Sequence, residues 1–172
     1  LYGIKNPRAA GREINRLIHT RGHTQTYNPA GSGIFSEDWD NLLILDACRY
    51  DYFHELADLP GTTSYRYSLA PATYQFIRAE FTGNKAHDTV YVSSNGWFLQ
   101  LKDEIGAEVY KFIDLLSDGD SVEQSGEEMK VPSPKAVTDH ALCAFRDYPN
   151  KRLIVHYLQP HPPYVANALE ED

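Results

Sequence analysis

The stretch NLLILDACRYDYF, residues 41–53, decides the fold. Leu42 to Leu45 is an unbroken apolar run of strand length that ends at an acid, Asp46. An apolar run without period-two alternation reads as a fully buried strand of a parallel sheet. Arg49 to Ala57 reads as the helix that follows, closed by Pro60-Gly61. The same rhythm continues down the chain. TVYVS (89–93), EVYKFI (108–113) and RLIVHYL (152–158) read as strands. Tyr74 to Phe81 and Lys135 to Tyr148 read as helices, the second with Val137, Ala141, Leu142 and Phe145 on one face. Asp118 to Pro134 is polar and rich in Gly, Ser and Glu, and reads as a surface loop or insertion. Strands alternating with helices predict an α/β domain with a largely parallel sheet sandwiched by helices.

Upstream of this body, residues 1–40 read as a helical arm and linker, with the domain proper at 41–172. Ala10, Ile14, Leu17 and Ile18 recur at helical spacing among Arg12, Glu13 and Arg16, an amphipathic pattern reaching about His19. Thr20 to Asp40 contains Gly22, Pro29, Gly31 and Gly33 and reads as a loop.

Composition limits the function classes. With 42% hydrophobic and 23% charged residues in 172, the chain can bury one core, enough for one domain. A formal charge of −8 and a pI near 5.3 exclude a basic nucleic-acid surface and a basic membrane-surface protein. Cys48 and Cys143 are too few for a disulfide framework and read as small buried residues. No run approaches the ~18 apolar residues of a membrane span. No secretory signal is legible at the start, so the default expectation is a cytoplasmic or cytoplasm-facing protein.

In open α/β sheets ligands bind beyond the carboxyl ends of the strands. Three polar residues fall there: Asp46, Asn95 and His161. A carboxylate at a strand end suits a hard divalent cation, and equally the cap of the next helix. Thr73 follows Pro71-Ala72 at a helix start, where free backbone N–H groups attract phosphate-like anions. Its plain alternative is an N-cap threonine. His161 sits in a proline-stiffened turn (Pro160, Pro162, Pro163, Tyr164) and could bind an anion or a metal, or stand as a surface residue. Asp139-His140 looks like a metal-binding dipeptide but falls on a solvated helix face. His156, inside a strand, reads as a packed histidine. Trp97, Tyr65 and Tyr67 could line a pocket, though packing roles suit them as well.

Three of these pieces, in order, resemble the sulfatase-like branch of the alkaline phosphatase superfamily. LLILDACRYD is similar to that branch's opening strand, whose Asp is a metal ligand and falls on Asp46. Sulfatases place the nucleophile nine residues before the Thr-Gly that ends its helix; counting back from Thr82-Gly83 lands on Thr73. LIVHYLQPHPPY is similar to the strand ending in P-H-x-P-Y, whose histidine lies near the substrate anion and maps to His161. The resemblance spans Leu42 to Tyr164, and the layout with an N-terminal KNPRAAGREINRL arm resembles archaeal members.

The resemblance implies an alkaline phosphatase-like fold and a metal-dependent hydrolase or transferase. Thr73 would be the catalytic nucleophile and, with Asp46, a metal ligand; His161 and Asn95 would bind substrate. The implied cofactor is a divalent cation (Mg, Mn, Ca or Zn). The implied substrate is an anionic ester, phosphate ahead of sulfate, carried on a glycan or a lipid headgroup. The departures refine this. Thr73 replaces the Cys or Ser that becomes formylglycine, and Gln75 and Ile77 stand where the directing Pro and Arg would be. That points away from sulfatase chemistry and toward phosphatase or phosphotransferase members. The Asp-His pair that completes the family's metal site would lie downstream of Tyr164, which implies an N-terminal fragment of a longer domain, inactive by itself. The competing expectation is a catalytically inactive, truncated sulfatase-like domain serving as a binding or interaction module. A Rossmann-type nucleotide site is disfavoured, since no G-x-G-x-x-G or Walker motif follows a strand.

Overall fold

The computed structural model describes residues 27–116, 120–124 and 127–161, with the backbone alone for 120–129. The amphipathic segment up to His19 and the Pro162-Pro163-Tyr164 end of the turn lie outside the described residues. The elements in chain order are β1 (Asn41–Leu45), α1 (Tyr50–Leu56), α2 (Thr73–Phe81), β2 (Lys85–Ser93), α3 (Trp97–Leu101), β3 (Glu108–Asp114), β4 (Asp120–Gln124), β5 (Glu127–Val131), α4 (Pro134–Asp147) and β6 (Arg152–Tyr157). Four strands form a wholly parallel sheet in the order β1-β6-β2-β3, and β4 and β5 pair antiparallel as a separate ribbon. The α/β architecture with a parallel sheet between helices is as the sequence predicts.

Two apolar layers hold the sheet. On one face α2 and α3 bury Ile77, Phe81, Phe98 and Leu101 against Tyr91 and Ile154. The centre of that layer is aromatic: Phe81 stacks on Tyr91 at 5.5 Å between centroids, and Phe98 meets both edge-on. On the other face α4 lays Val137, Ala141 and Ala144 over Val90, Val92, Leu153 and Val155. Ser133 caps α4, its hydroxyl accepting the N–H of Ala136 at 3.1 Å, with Pro134 at the first helical position.

Residues 27–40 lie against this body. The N–H of Asn28 donates to Leu69 O at 2.8 Å and that of Ser32 to Tyr67 O at 3.0 Å. Gly31 permits this approach: a Cβ there would meet the Leu69 Cα at 2.8 Å. Ile34, Phe35 and Trp39 pack on the α2 layer. Glu80, buried on α2, accepts the N–H of Ile34 at 2.9 Å, and burial raises its carboxyl from 4.5 to about 7. Arg152 lies over the Trp39 ring at 3.6 Å while its Nε donates to Trp39 O at 3.0 Å.

Four sequence expectations are corrected. Leu142 and Phe145, read on one face of α4 with Val137 and Ala141, are exposed, and Ala144 completes the face that meets the sheet. The Leu42–Leu45 run reads as covered on both faces, but β1 is an edge strand with Leu43 60% exposed. Among the described residues β6 alone pairs with it and apolar packing reaches it on one face only, so Leu42 and Ile44 are half-buried while Leu43 and Leu45 are exposed. The Asp118–Pro134 loop contains the β4–β5 ribbon instead; its residues are mostly polar, so neither strand shows the apolar alternation that marks one. The free cysteines, read as buried, are intermediate (Cys48) and exposed (Cys143): Cys143 lies off the Val137–Ala141–Ala144 face that meets the sheet.

Candidate active site

Parallel pairing brings the strand ends together. In register, Ile44 lies opposite His156 and Leu45 opposite Tyr157, while Ser93 of β2 lies opposite His156 from the other side. The carboxyl ends of β1, β6 and β2 therefore meet at one rim. Asp46, the first residue past β1, donates its N–H to Tyr157 O at 3.1 Å. The chain then turns sharply: Ala47 has φ 60°, and Cys48 N–H donates to Leu45 O at 3.1 Å. A non-glycine residue in this left-handed region is held at a cost of about 1 kcal/mol. The strain falls beside the acid whose position it fixes.

Thr73 is the first residue of α2. Ala72 is the N-cap and gives no side-chain cap bond, so Thr73 is not the capping residue of this helix. Its hydroxyl instead donates to Asp46, 2.8 Å from Oδ1 and 2.8 Å from Oδ2. The first N–H groups of α2 have no intrahelical acceptor, and Ala72, Thr73 and Tyr74 line the cleft that Asp46 borders. Asn95, buried just beyond β2, donates its amide to Asp46 Oδ2 at 3.0 Å and accepts the N–H of Trp97 on its oxygen at 3.0 Å. Both functional atoms of Asn95 are thus engaged within the protein, and the residue holds Asp46 in place.

His156 stands below Asp46, with Nε2 3.9 Å from Oδ2. It is 1% exposed, and Nδ1 is 2.8 Å from the Tyr91 hydroxyl. Burial pushes the Tyr91 phenol up, keeping it a neutral donor. Tyr91 donating to Nδ1, with the imidazole proton on Nε2 facing Asp46, satisfies both contacts. Burial also lowers the imidazole below its ordinary value, against the opposing pull of the Asp46 charge. Sequence reading set His156 aside as a packed residue. It is packed, and it also faces the acid. The available signal was an imidazole inside an apolar strand, which needs a buried partner.

These groups share a cleft of about 670 Å³ lined by Asp46, Thr73, His156, His161, Tyr74 and Trp97. His161 reaches it from the turn after β6, its N–H donating to Leu158 O at 3.0 Å. Trp97 meets Tyr74 edge-on at 5.2 Å as an aromatic wall. Tyr65 and Tyr67 stand exposed outside the cleft lining. Asp139 and His140 lie on the exposed side of α4, where Lys135 holds Asp139 at 2.6 Å and His140 Nδ1 bonds Ala136 O at 3.0 Å.

The donors can be tested against a hard divalent cation. Asp46 and Thr73 offer oxygens 2.8 Å apart. That separation is close to the edge, about 2.9 Å, of an octahedron with bonds of 2.0–2.1 Å. The same 2.8 Å is the length of their hydrogen bond, so the spacing is compatible with a shared cation but does not by itself mark one. Among the described residues no group of three or more His, Cys, Asp or Glu side chains is placed to hold a metal. Comparison with known proteins gave no match to any family model, curated protein or solved structure. Among the described residues, no helix is long and apolar enough to cross a membrane.

Proposed function

We propose that this chain carries the nucleophile half of a phosphate-ester hydrolase or phosphotransferase of the sulfatase-like, alkaline phosphatase type. The observation that carries the reading is the Thr73 hydroxyl, 2.8 Å from both oxygens of a strand-end carboxylate at the start of a helix. In this reading Thr73 Oγ1, oriented by its hydrogen bond to the Asp46 carboxylate, attacks phosphorus in line and gives its hydroxyl proton to solvent water. The ester P–O bond breaks on the opposite side, the leaving oxygen is protonated by water, and a phosphothreonine remains. Water or an acceptor alcohol then attacks this ester and restores Thr73. The N–H groups of the α2 first turn face the non-bridging oxygens, and His161 contributes a further donor. Asp46 and Thr73 would hold the divalent cation, which when bound supplies Lewis-acid charge neutralisation, with its remaining positions filled by water, substrate or donors outside the described residues. Phosphate is favoured over sulfate because Thr73 lacks the formylglycine precursor.

A second reading is favoured by the closure of the network. Thr73 and Asn95 together satisfy the Asp46 carboxylate, so the three could serve as a structural pin in a non-catalytic binding module. Turnover of p-nitrophenyl phosphate and bis-p-nitrophenyl phosphate with added Mg, Mn, Ca or Zn decides between them. The enzyme reading expects metal-dependent turnover, a phosphorylated Thr73 peptide on quenching, and a loss of roughly 10³-fold in Thr73→Ala. Absence of metal-dependent turnover, with Thr73→Ala only lowering thermal stability, would leave the module.

A further inference from the structure

Glu80 is a buried acid that the chemistry at Asp46 does not use. It lies on α2 and is 7% exposed. Its Oε2 accepts the N–H of Ile34 at 2.9 Å. Its Oε1 is buried and, among the described residues, has no hydrogen-bond partner. A carboxylate here would carry charge on an oxygen with neither a donor nor water, so the neutral carboxyl suits the pocket better. Burial raises the group to about 7.

The charged groups nearby are bound elsewhere. Arg78 of α2 pairs with Glu104, Glu37 pairs with Arg66, and Arg152 of β6 lies over Trp39 and donates to the Glu37 and Trp39 carbonyls. Asp38 and Asp40 are exposed. Burial and the Ile34 N–H are the influences acting on the Glu80 proton.

Residues 27–40 lie between this acid and the Asp46 cleft. A Cβ on Gly33 would meet Glu80 Oε2 at 3.3 Å and Leu69 Cδ1 at 3.6 Å, so the backbone here touches both. On the Glu80 side the segment gives the Ile34 N–H. On the other side the N–H groups of Asn28 and Ser32 donate to Leu69 O and Tyr67 O, and the Asn28 amide donates to Ser68 O at 3.1 Å. Ser68 and Ala70 line the Asp46 cleft. Lifting Gly33 and Ile34 would give Oε1 access to water and would pull on the bonds to the cleft wall.

We propose that residues 27–40 form a pH-operated strap: the neutral Glu80 carboxyl latches it, and ionisation of that carboxyl releases it and loosens the Tyr67–Ala70 wall of the Asp46 cleft. The direction follows from proton linkage. The released state exposes Glu80 to water, where the carboxyl ionises near its ordinary 4.5, so it binds fewer protons and gains population as pH rises from there through about 7. The inference is independent of the chemistry assigned to Thr73.

Residue-resolved hydrogen exchange on the full chain, corrected against an unstructured peptide of residues 27–40, reads the strap at Asn28, Ser32 and Ile34. Protection of all three amides should fall by about tenfold or more between pH 5 and pH 8. Glu80→Gln, which keeps an acceptor without a charge, should hold the pH 5 protection at pH 8. The opening should be local, so mild urea should leave exchange in the strap unchanged while it speeds exchange in β2 and β6. Protection indifferent to pH, or a fall that survives Glu80→Gln, would overturn the proposal. Strap amides with the urea dependence of β2 would overturn it in favour of global unfolding. Loss of protection at Ile34 with Asn28 and Ser32 holding theirs would overturn the link to the cleft wall.

Discussion

Two acid–imidazole pairs in this molecule make opposite uses of the same side chains. Asp139 and His140 are neighbours in sequence, yet adjacent positions on a helix point apart. One is paired with Lys135 and the other with the Ala136 carbonyl. Asp46 and His156 come from opposite ends of the described chain, and the β1–β6 register sets them 3.9 Å apart in a shared cleft. Proximity along the chain thus gave two separate surface residues, and parallel strand pairing gave a site. Burial separates them further, since the Asp46 group must satisfy its polar atoms internally while the α4 pair can use water.

The largest expected contrast is in activity. On the proposed phosphate-ester reading, Asp46→Ala should lower metal-dependent kcat/KM by roughly 10³-fold, whereas Asp139→Ala should leave it within about twofold. Equal losses would break the comparison. Stability comes next. His156→Ala opens a cavity and unpairs the Tyr91 hydroxyl, a loss of about 2–4 kcal/mol in urea unfolding, while His140→Ala should stay within about 0.5 kcal/mol. Asn95→Ala sharpens the point, because it leaves an Asp46 oxygen and the Trp97 N–H short of a partner, a loss of about 1–3 kcal/mol without touching Thr73.

The smallest effect is at the far end of α2. The Glu80 carboxyl lies at about 7 in the folded state and 4.5 as its ordinary value. Between those values the folded state holds more protons than the unfolded one, so stability falls as pH rises through that window. Glu80→Gln keeps an acceptor for the Ile34 N–H and removes the charge. It should flatten this slope and raise stability at pH 8 by on the order of 1 kcal/mol, with no gain below pH 4.5. A variant less stable at pH 8 would show that the carboxylate itself is needed there.

Much of the fold was legible because the strands are apolar and short and the helices carry periodic faces. The Tyr91–Ile154 layer follows from that patterning, and of the α4 face Val137 and Ala141 do, while Leu142 and Phe145 are exposed and Ala144 packs instead. The edge position of β1 was not legible, since a strand's own residues do not say how many neighbours it has. For the site, the sequence supplied Asp46, Thr73 and Asn95 through their places at strand and helix ends, and the structure brings these three within hydrogen-bond distance. It did not supply the part of His156, which depends on a register, or the conversion of Asn95 from a ligand candidate into a support for Asp46. Both are properties of pairs distant in sequence.

The sheet order has a consequence for how the protein is made. β6 lies between β1 and β2, although it is the last of the described strands. At synthesis rates of about 5–20 residues per second, β1 waits roughly 6–22 s after its own emergence for the strand that will pair with it. During that interval Leu42–Leu45 is an unpaired apolar segment, and Asp46 lacks the backbone carbonyl of Tyr157 that anchors it. The rim therefore assembles last and all at once, so a ribosome stalled short of residue 157 would hold a chain with β2 and β3 free to pair and no site at all.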